Sequence, residues 1–318
     1  MLSSLRLCSP QLHTLRAVSV LRVQSIRRCA VSALVDSKWV RNAQTSGQPE
    51  ILLLDCNDAA SYLRGHIPNA VHCTMTATLG KDPTPGATGV TSAQRFRDAV
   101  QTLQVPKDAT IVLYDDDFLS HFATRMWWVF RHFGFPLDQL KVLDGGLKQW
   151  KADDNEVATG EANDREIVAE RWTQPVDTHK LVGLQAVQKG IADGATKFVD
   201  TRSPGEFYGA DATKNARTGH IPGAVHFNWT EGVDVLRNGR FKTKDELEKV
   251  FVDTFRLDKD KPVITYCQAG IRAAHTAFLL EQILGFKNVT IYEDSMQEYV
   301  NRDDTEVATT DDSKVAEQ

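Results

Sequence analysis

Cysteine is scarce in this chain: Cys8, Cys29, Cys56, Cys73 and Cys267 are the only five in 318 residues, irregularly spaced and odd in number. That pattern argues against a disulfide framework and for reduced thiols. No Cys-x-x-Cys pair occurs, and no Cys/His cluster has the spacing of a structural zinc site. A run of 18 apolar residues is also missing, so no segment reads as a membrane-spanning helix. Basic charge is not in excess: 37 Lys and Arg stand against 42 Asp and Glu, a net charge of -5, and the body holds no Lys/Arg block. Nucleic acid is therefore not an expected partner. What is present, 42% hydrophobic and 25% charged residues, is the composition of a soluble globular protein with length for two domains.

Acidic residues are absent from the first 35 positions, which carry Arg6, Arg16, Arg22, Arg27 and Arg28 among scattered Leu, Val and Ile. Recurring arginines without a compact apolar run are the pattern of an amphipathic organelle-import segment rather than a secretory signal. Residues 1–35 are accordingly expected to direct the chain to the mitochondrion, into the matrix, with no membrane association after import. At the other end, residues 304–318 read as a flexible acidic tail.

An internal repeat organises the remainder. His66-Ile67-Pro68-Asn69-Ala70-Val71-His72 returns as His220-Ile221-Pro222-Gly223-Ala224-Val225-His226. Each copy follows a short apolar run ending in aspartate, Ile51 to Asp55 and Lys197 to Asp200, and precedes another strand-like run, Thr110 to Tyr114 and Pro262 to Tyr266. A helix and a last apolar strand follow in both halves. The reading is two similar α/β domains, 36–155 and 178–303, joined by a linker over 156–177. Each is expected to be a mainly parallel sheet covered by helices on both faces.

Sites in such folds lie outside the carboxyl ends of the strands. Just past Tyr266 stands Cys267-Gln268-Ala269-Gly270-Ile271-Arg272, leading into a predicted helix. Backbone amides and a helix N-terminus favour negative charge there, the setting of a nucleophilic thiolate. Gly270 permits a tight turn and Arg272 supplies a positive fork. In the first half the equivalent stretch is Asp115-Asp116-Asp117, which has no thiol. Cysteine phosphatases use a related loop one residue longer between Cys and Arg; the shorter loop suits a single sulfur atom. Cys56 and Cys73 read as packed thiols.

These residues, together with Asp200-Thr201-Arg202-Ser203 and Leu143-Asp144-Gly145-Gly146-Leu147, make the chain resemble the tandem-domain rhodanese family, the thiosulfate and mercaptopyruvate sulfurtransferases, over about 36–303. The resemblance implies an inert first domain and a second that stores sulfur as a Cys267 persulfide, held by Gln268, Ala269, Gly270, Ile271 and Arg272. Sulfur would pass from thiosulfate to cyanide, glutathione or a thioredoxin-like thiol by double displacement, with no cofactor and no metal, in a monomer. Alternatives are 3-mercaptopyruvate as donor, or a persulfide carrier without useful turnover. Asp200, Arg202 and Arg125 are supporting or substrate-facing candidates, and Arg272 is expected to pair with Asp200 or another strand-end carboxylate. Mercaptopyruvate enzymes of that family carry a carboxylate-binding arginine where this chain has Gly205-Glu206-Phe207, and Glu206 is expected to repel that donor. Near the end, Asp294, Met296 and Tyr299 replace a glycine and two tryptophans usual in the family.

Overall fold

The computed structural model describes residues 32–73, 90, 92–116, 119–161 and 180–309. Residues 1–31 of the import segment, Asp117, residues 162–177 of the linker and residues 310–318 of the tail lie outside the described residues, as do Cys8 and Cys29.

The first half runs β1 (Leu34–Val35), α1 (Ser37–Ser46), β2 (Ile51–Asp55), α2 (Ala59–Arg64), β3 (Val71–His72), α3 (Ala93–Thr102), β4 (Thr110–Tyr114), α4 (His121–His132), β5 (Leu140–Leu143) and α5 (Gly146–Ala152). The second repeats the plan: β6 (Leu181–Val182), α6 (Leu184–Asp193), β7 (Lys197–Asp200), α7 (Pro204–Phe207) and β8 (Val225–His226). A short antiparallel hairpin of β9 (Val233–Asp234) and β10 (Arg240–Phe241) follows. Then come α8 (Lys244–Glu248), β11 (Val263–Tyr266), α9 (Ile271–Phe278), β12 (Val289–Tyr292) and α10 (Ser295–Tyr299).

Both five-stranded sheets are parallel throughout, with orders β1-β5-β4-β2-β3 and β6-β12-β11-β7-β8. Strands with apolar residues on both faces need cover on both sides, and they have it. In the first half Val40 of α1 and Trp150 of α5 pack on Leu53 and Val112, while Phe96 of α3 and Met126 of α4 pack on the opposite face. The second half places Val187 of α6 and Met296 of α10 on one face, and Leu247 of α8 and Ala274 of α9 on the other.

The inward faces of the two halves merge into a single apolar core through α4 and α9. From Ala123 to His132 every residue of α4 is buried, its polar Arg125 and Arg131 included, because the helix is enclosed in the shared core and both arginines pair with carboxylates of the other half. Trp127 meets Phe278 edge to face, ring centroids 5.0 Å apart, and Arg131 pairs with Glu281. Burying aromatic side chains of this size contributes roughly 2–3 kcal/mol each.

The repeated His-Ile-Pro segment is a structural brace. His66 stacks on Tyr62 and His220 on Phe207, at 3.9 and 3.8 Å between centroids. The next amide, of Ile67 or Ile221, donates to the hydroxyl of the strand-end tyrosine, Tyr114 or Tyr266. The brace therefore fixes the carboxyl ends of β4 and β11, where the two halves then diverge.

Candidate active site

β11 delivers Cys267 to the centre of the second sheet's carboxyl edge, where it is 1% exposed. Its amide donates to Ser295 Oγ (3.1 Å), its carbonyl accepts from Met296 N (3.1 Å), and the carbonyl of Gln268 accepts from Gln297 N (3.0 Å). The start of the turn is thus bolted to α10. Gln268 is held sideways: its amide group and that of Asn215 exchange hydrogen bonds of 2.9 and 3.1 Å. Gly270 then takes a left-handed conformation, φ +82°, and opens α9. A side chain would be strained there, and a Cβ would also stand 2.7 Å from the carboxylate of Glu293. The first amides of α9 have no intrahelical acceptor, which leaves the turn at the positive end of the helix.

Arg272 closes the turn, and its partner is Glu206 of α7 rather than Asp200 or another carboxylate at a strand end. Both terminal nitrogens bind Glu206, NH1 to Oε2 at 2.6 Å and NH2 to Oε1 at 2.8 Å, and Asp200 is engaged elsewhere. Glu206 is already oriented by a capping box on α7, accepting from the amide and hydroxyl of Ser203. Burial alone would raise the Glu206 carboxyl; the hydrogen bonds and charge of Arg272, helped by Ser203, outweigh it and hold the group down to about 2. Arg272 is kept above its ordinary range in turn, since its bonds to Glu206 and its contact with Cys267 exceed the opposing effect of burial. Glu206 is therefore a neutralised partner rather than a bare repelling charge.

Asp200 and Arg202 form a separate pair at the end of β7. Arg202 donates from Nε and NH2 to both carboxylate oxygens, at 2.7 to 3.1 Å, and from NH2 to the carbonyl of Gly219. At 2% exposure its guanidinium faces protein, the arrangement of a supporting residue. Arg125, on α4 of the other half, is likewise turned inward: NH1 and NH2 bind the two oxygens of Glu293, with the arginine side chain 1% and the glutamate 6% exposed. Of the two roles expected for it, the geometry is that of support.

The first half shows what replaces the thiol. Asp115 follows Tyr114 as Cys267 follows Tyr266, and its fully buried carboxylate accepts the amide of Ala123 in the first turn of α4 (2.9 Å). A protein carboxylate thus fills the helix end that the second half leaves facing its cysteine. Cys56 and Cys73 are buried in the shared core, and burial, then the proximity of Cys73, Asp115 and Asp55, pushes the Cys56 thiol well up.

Three residues of this region escape sequence reading: Ser295, Glu293 and Asn215. The first two lie in Tyr292–Tyr299, the divergent counterpart of Leu143–Leu147, where Glu293-Asp294-Ser295 occupies the place of Asp144-Gly145-Gly146, but the alignment of the repeats assigns them no role at the site. Gly145 and Gly146 both have positive φ; in the second half Asp294 is in the ordinary helical region and only Ser295 is left-handed, φ +51°. The departure at Asp294 is thus absorbed by keeping only the second of the two left-handed positions. Met296 and Tyr299 fill the adjacent core in place of the tryptophans.

The family model for the rhodanese-like domain matches twice, at residues 36–153 and 184–302. The chain belongs to the rhodanese family. A thiosulfate sulfurtransferase of Corynebacterium glutamicum is 31% identical over 280 residues, covering 84% of this chain and 87% of its own. Among solved structures, the 3-mercaptopyruvate sulfotransferase SseA of Escherichia coli is 28% identical with a TM-score of 0.71, over 83% of this chain and 99% of SseA. EanB, solved with ergothioneine, superposes with a TM-score of 0.75 over 88% of this chain and 71% of its own, but at 19% identity shares the fold alone. This rhodanese is a sulfurtransferase, an enzyme that moves sulfur between a small donor and an acceptor.

Proposed function

We propose that the chain is a thiosulfate sulfurtransferase working through a persulfide on Cys267. The observation that carries this reading is the turn itself: a cysteine at a strand end, enclosed between Ser295 and the start of α9, with the Arg272 guanidinium against it. The Cys267 thiolate attacks the outer sulfur of thiosulfate; an S–S bond forms on Cys267 as the donor's S–S bond breaks, and sulfite leaves with the electron pair. Cyanide or a thiolate then attacks the outer sulfur of the persulfide and releases the Cys267 thiolate. The amides from Gln268 to Arg272 face the charge that moves onto sulfur at each step.

Thiosulfate is favoured over mercaptopyruvate on a ground modified by the geometry. Glu206 occupies the place of the family's carboxylate-binding arginine, and its own charge is already answered by Arg272. The mercaptopyruvate carboxylate therefore lacks a partner there, rather than meeting a free negative charge. The likeness to the Corynebacterium glutamicum enzyme supports the same donor, and the likeness to SseA supports the alternative. Transfer to cyanide with each donor at matched concentration, alongside intact mass after donor alone, tests the choice. Faster turnover with thiosulfate and a mass gain of about 32 Da, one sulfur atom, are expected. Preference for mercaptopyruvate overturns the donor assignment, and a mass gain without turnover points to a carrier.

Ser295 supplies a separate test. Left-handed backbone costs a non-glycine residue about 1 kcal/mol, and here its hydroxyl anchors the Cys267 amide. Ser295→Ala and Ser295→Gly are both expected to slow sulfur loading by about fivefold, the worth of one hydrogen bond. Melting temperature should recover only with glycine, which removes the strain. Equal loading rates in both variants and the parent would show that the anchor is dispensable.

A further inference from the structure

Arg125 belongs to the half without a nucleophile, yet its guanidinium lies directly behind the turn of the other half. It grips both oxygens of Glu293, the residue that follows β12. The same carboxylate lies against Gly270: a Cβ at Gly270 would be 2.7 Å from Oε2 and 3.0 Å from Oε1. Gly270 lies between Cys267 and Arg272. A bare carboxylate at that point would have the wrong sign, since the turn must accept a thiolate, a persulfide and an incoming anion in sequence.

The pair is not needed merely to join the halves. Trp127 with Phe278 already ties α4 to α9, and Arg131 with Glu281 ties α4 to the chain just beyond α9. The first half also shows an alternative way of meeting such a carboxylate. Asp144, the counterpart of Glu293, accepts the amide of Phe241 at 2.9 Å from the β9–β10 hairpin of the second half, with Arg240 and Arg237 contributing positive charge. Each half therefore reaches across to the other's strand-end carboxylate, but only Glu293 is met by a bidentate, fully buried guanidinium, and only Glu293 stands behind a cysteine.

We propose that Arg125 is a positioning residue for sulfur loading: it neutralises Glu293 and holds its carboxylate flat against Gly270, so that anions approach Cys267 without a like charge behind the turn. This rests on the reading that Cys267 is the residue that accepts sulfur. The inert domain then contributes to the chemistry through one side chain that touches neither substrate nor sulfur.

Single-turnover loading of the full chain, followed by intact mass, tests this with two electrophiles: dianionic thiosulfate, and an uncharged methanethiosulfonate ester that S-methylthiolates the cysteine. Arg125→Met is expected to slow loading from thiosulfate about tenfold or more while changing the reaction with the neutral ester far less. Glu293→Gln, which removes the charge that Arg125 answers, should load thiosulfate faster than the parent, and the double variant should recover most of the loss. Equal slowing with both electrophiles, or a double variant no faster than Arg125→Met, overturns the proposal in favour of a structural clamp. If Arg125→Met does not fold, Glu293→Gln decides by itself, because slower loading in that variant contradicts charge screening. Failure of the underlying reading has its own signature: the adduct would persist in Cys267→Ser, whatever the Arg125 variants do.

Discussion

Cys267→Ser is expected to show no mass gain after thiosulfate and to lose sulfur transfer by about four orders of magnitude or more, the scale on which removal of a covalent nucleophile acts. Serine is close in size, so the turn should persist, with Ser295 still receiving the amide at position 267. The hydroxyl oxygen is a far weaker nucleophile toward sulfane sulfur than a thiolate. Cys56→Ala and Cys73→Ala provide the control. Both thiols lie in the core, and Cys56 is held in its neutral form by burial and by neighbouring Cys73, Asp115 and Asp55. Each alanine should cost about 1 kcal/mol of stability through lost packing and leave loading intact. Intact mass of the three variants after donor alone checks this. Retained loading in Cys267→Ser, or its loss in either control, would move the nucleophile elsewhere.

The parts of this fold legible in the sequence are those set by local pattern. Apolar runs closing on Asp55 and Asp200 are strands because the buried centre of a parallel sheet needs apolar residues on both faces. The recurrence of His66-Ile67-Pro68 at His220 revealed the duplication, and the Cys267–Arg272 interval revealed the turn, since each lies within a few residues of chain. Pairings across long separations were not legible. Arg272 finds Glu206 rather than Asp200, 66 positions away, because the capping box of α7 points that carboxylate back over the turn while Arg202 has claimed Asp200 at close range. Arg125 and Glu293 are 168 positions apart and meet only because α4 and α9 share one core. A charge count around the cysteine read from sequence alone thus overstates both its cations and its anions. Among the described residues, Arg272 meets Glu206, Arg202 meets Asp200 and Arg125 meets Glu293.

The Arg272–Glu206 pair makes a second large effect testable, and the parent and Arg272→Ala should respond to pH with opposite slopes. Arg272→Ala removes the cation at the thiol and strands a carboxylate that is only 6% exposed. Breaking a buried pair from one side costs about 3 kcal/mol, and loss of a charge-stabilising group at the reacting atom costs about a hundredfold in rate. In the parent, the Glu206 carboxyl sits at about 2 against an ordinary 4.5, so the pair contributes its full stability above pH 4.5 and loses it as pH falls toward 2. In Arg272→Ala burial acts on Glu206 without the opposing guanidinium, which favours the neutral acid; that variant should gain stability on acidification where the parent loses it. Glu206→Gln should lack the Glu206-linked part of the slope and leave the Arg272 fork charged for an incoming dianion. Melting temperatures of the three proteins between pH 3 and 7 check the signs, and parallel slopes for parent and Arg272→Ala would refute the assignment. The same geometry changes what Glu206→Arg should do. A second guanidinium would press against Arg272 and abolish the capping box at Ser203, so disorder of the turn is expected to outweigh any gain in mercaptopyruvate binding.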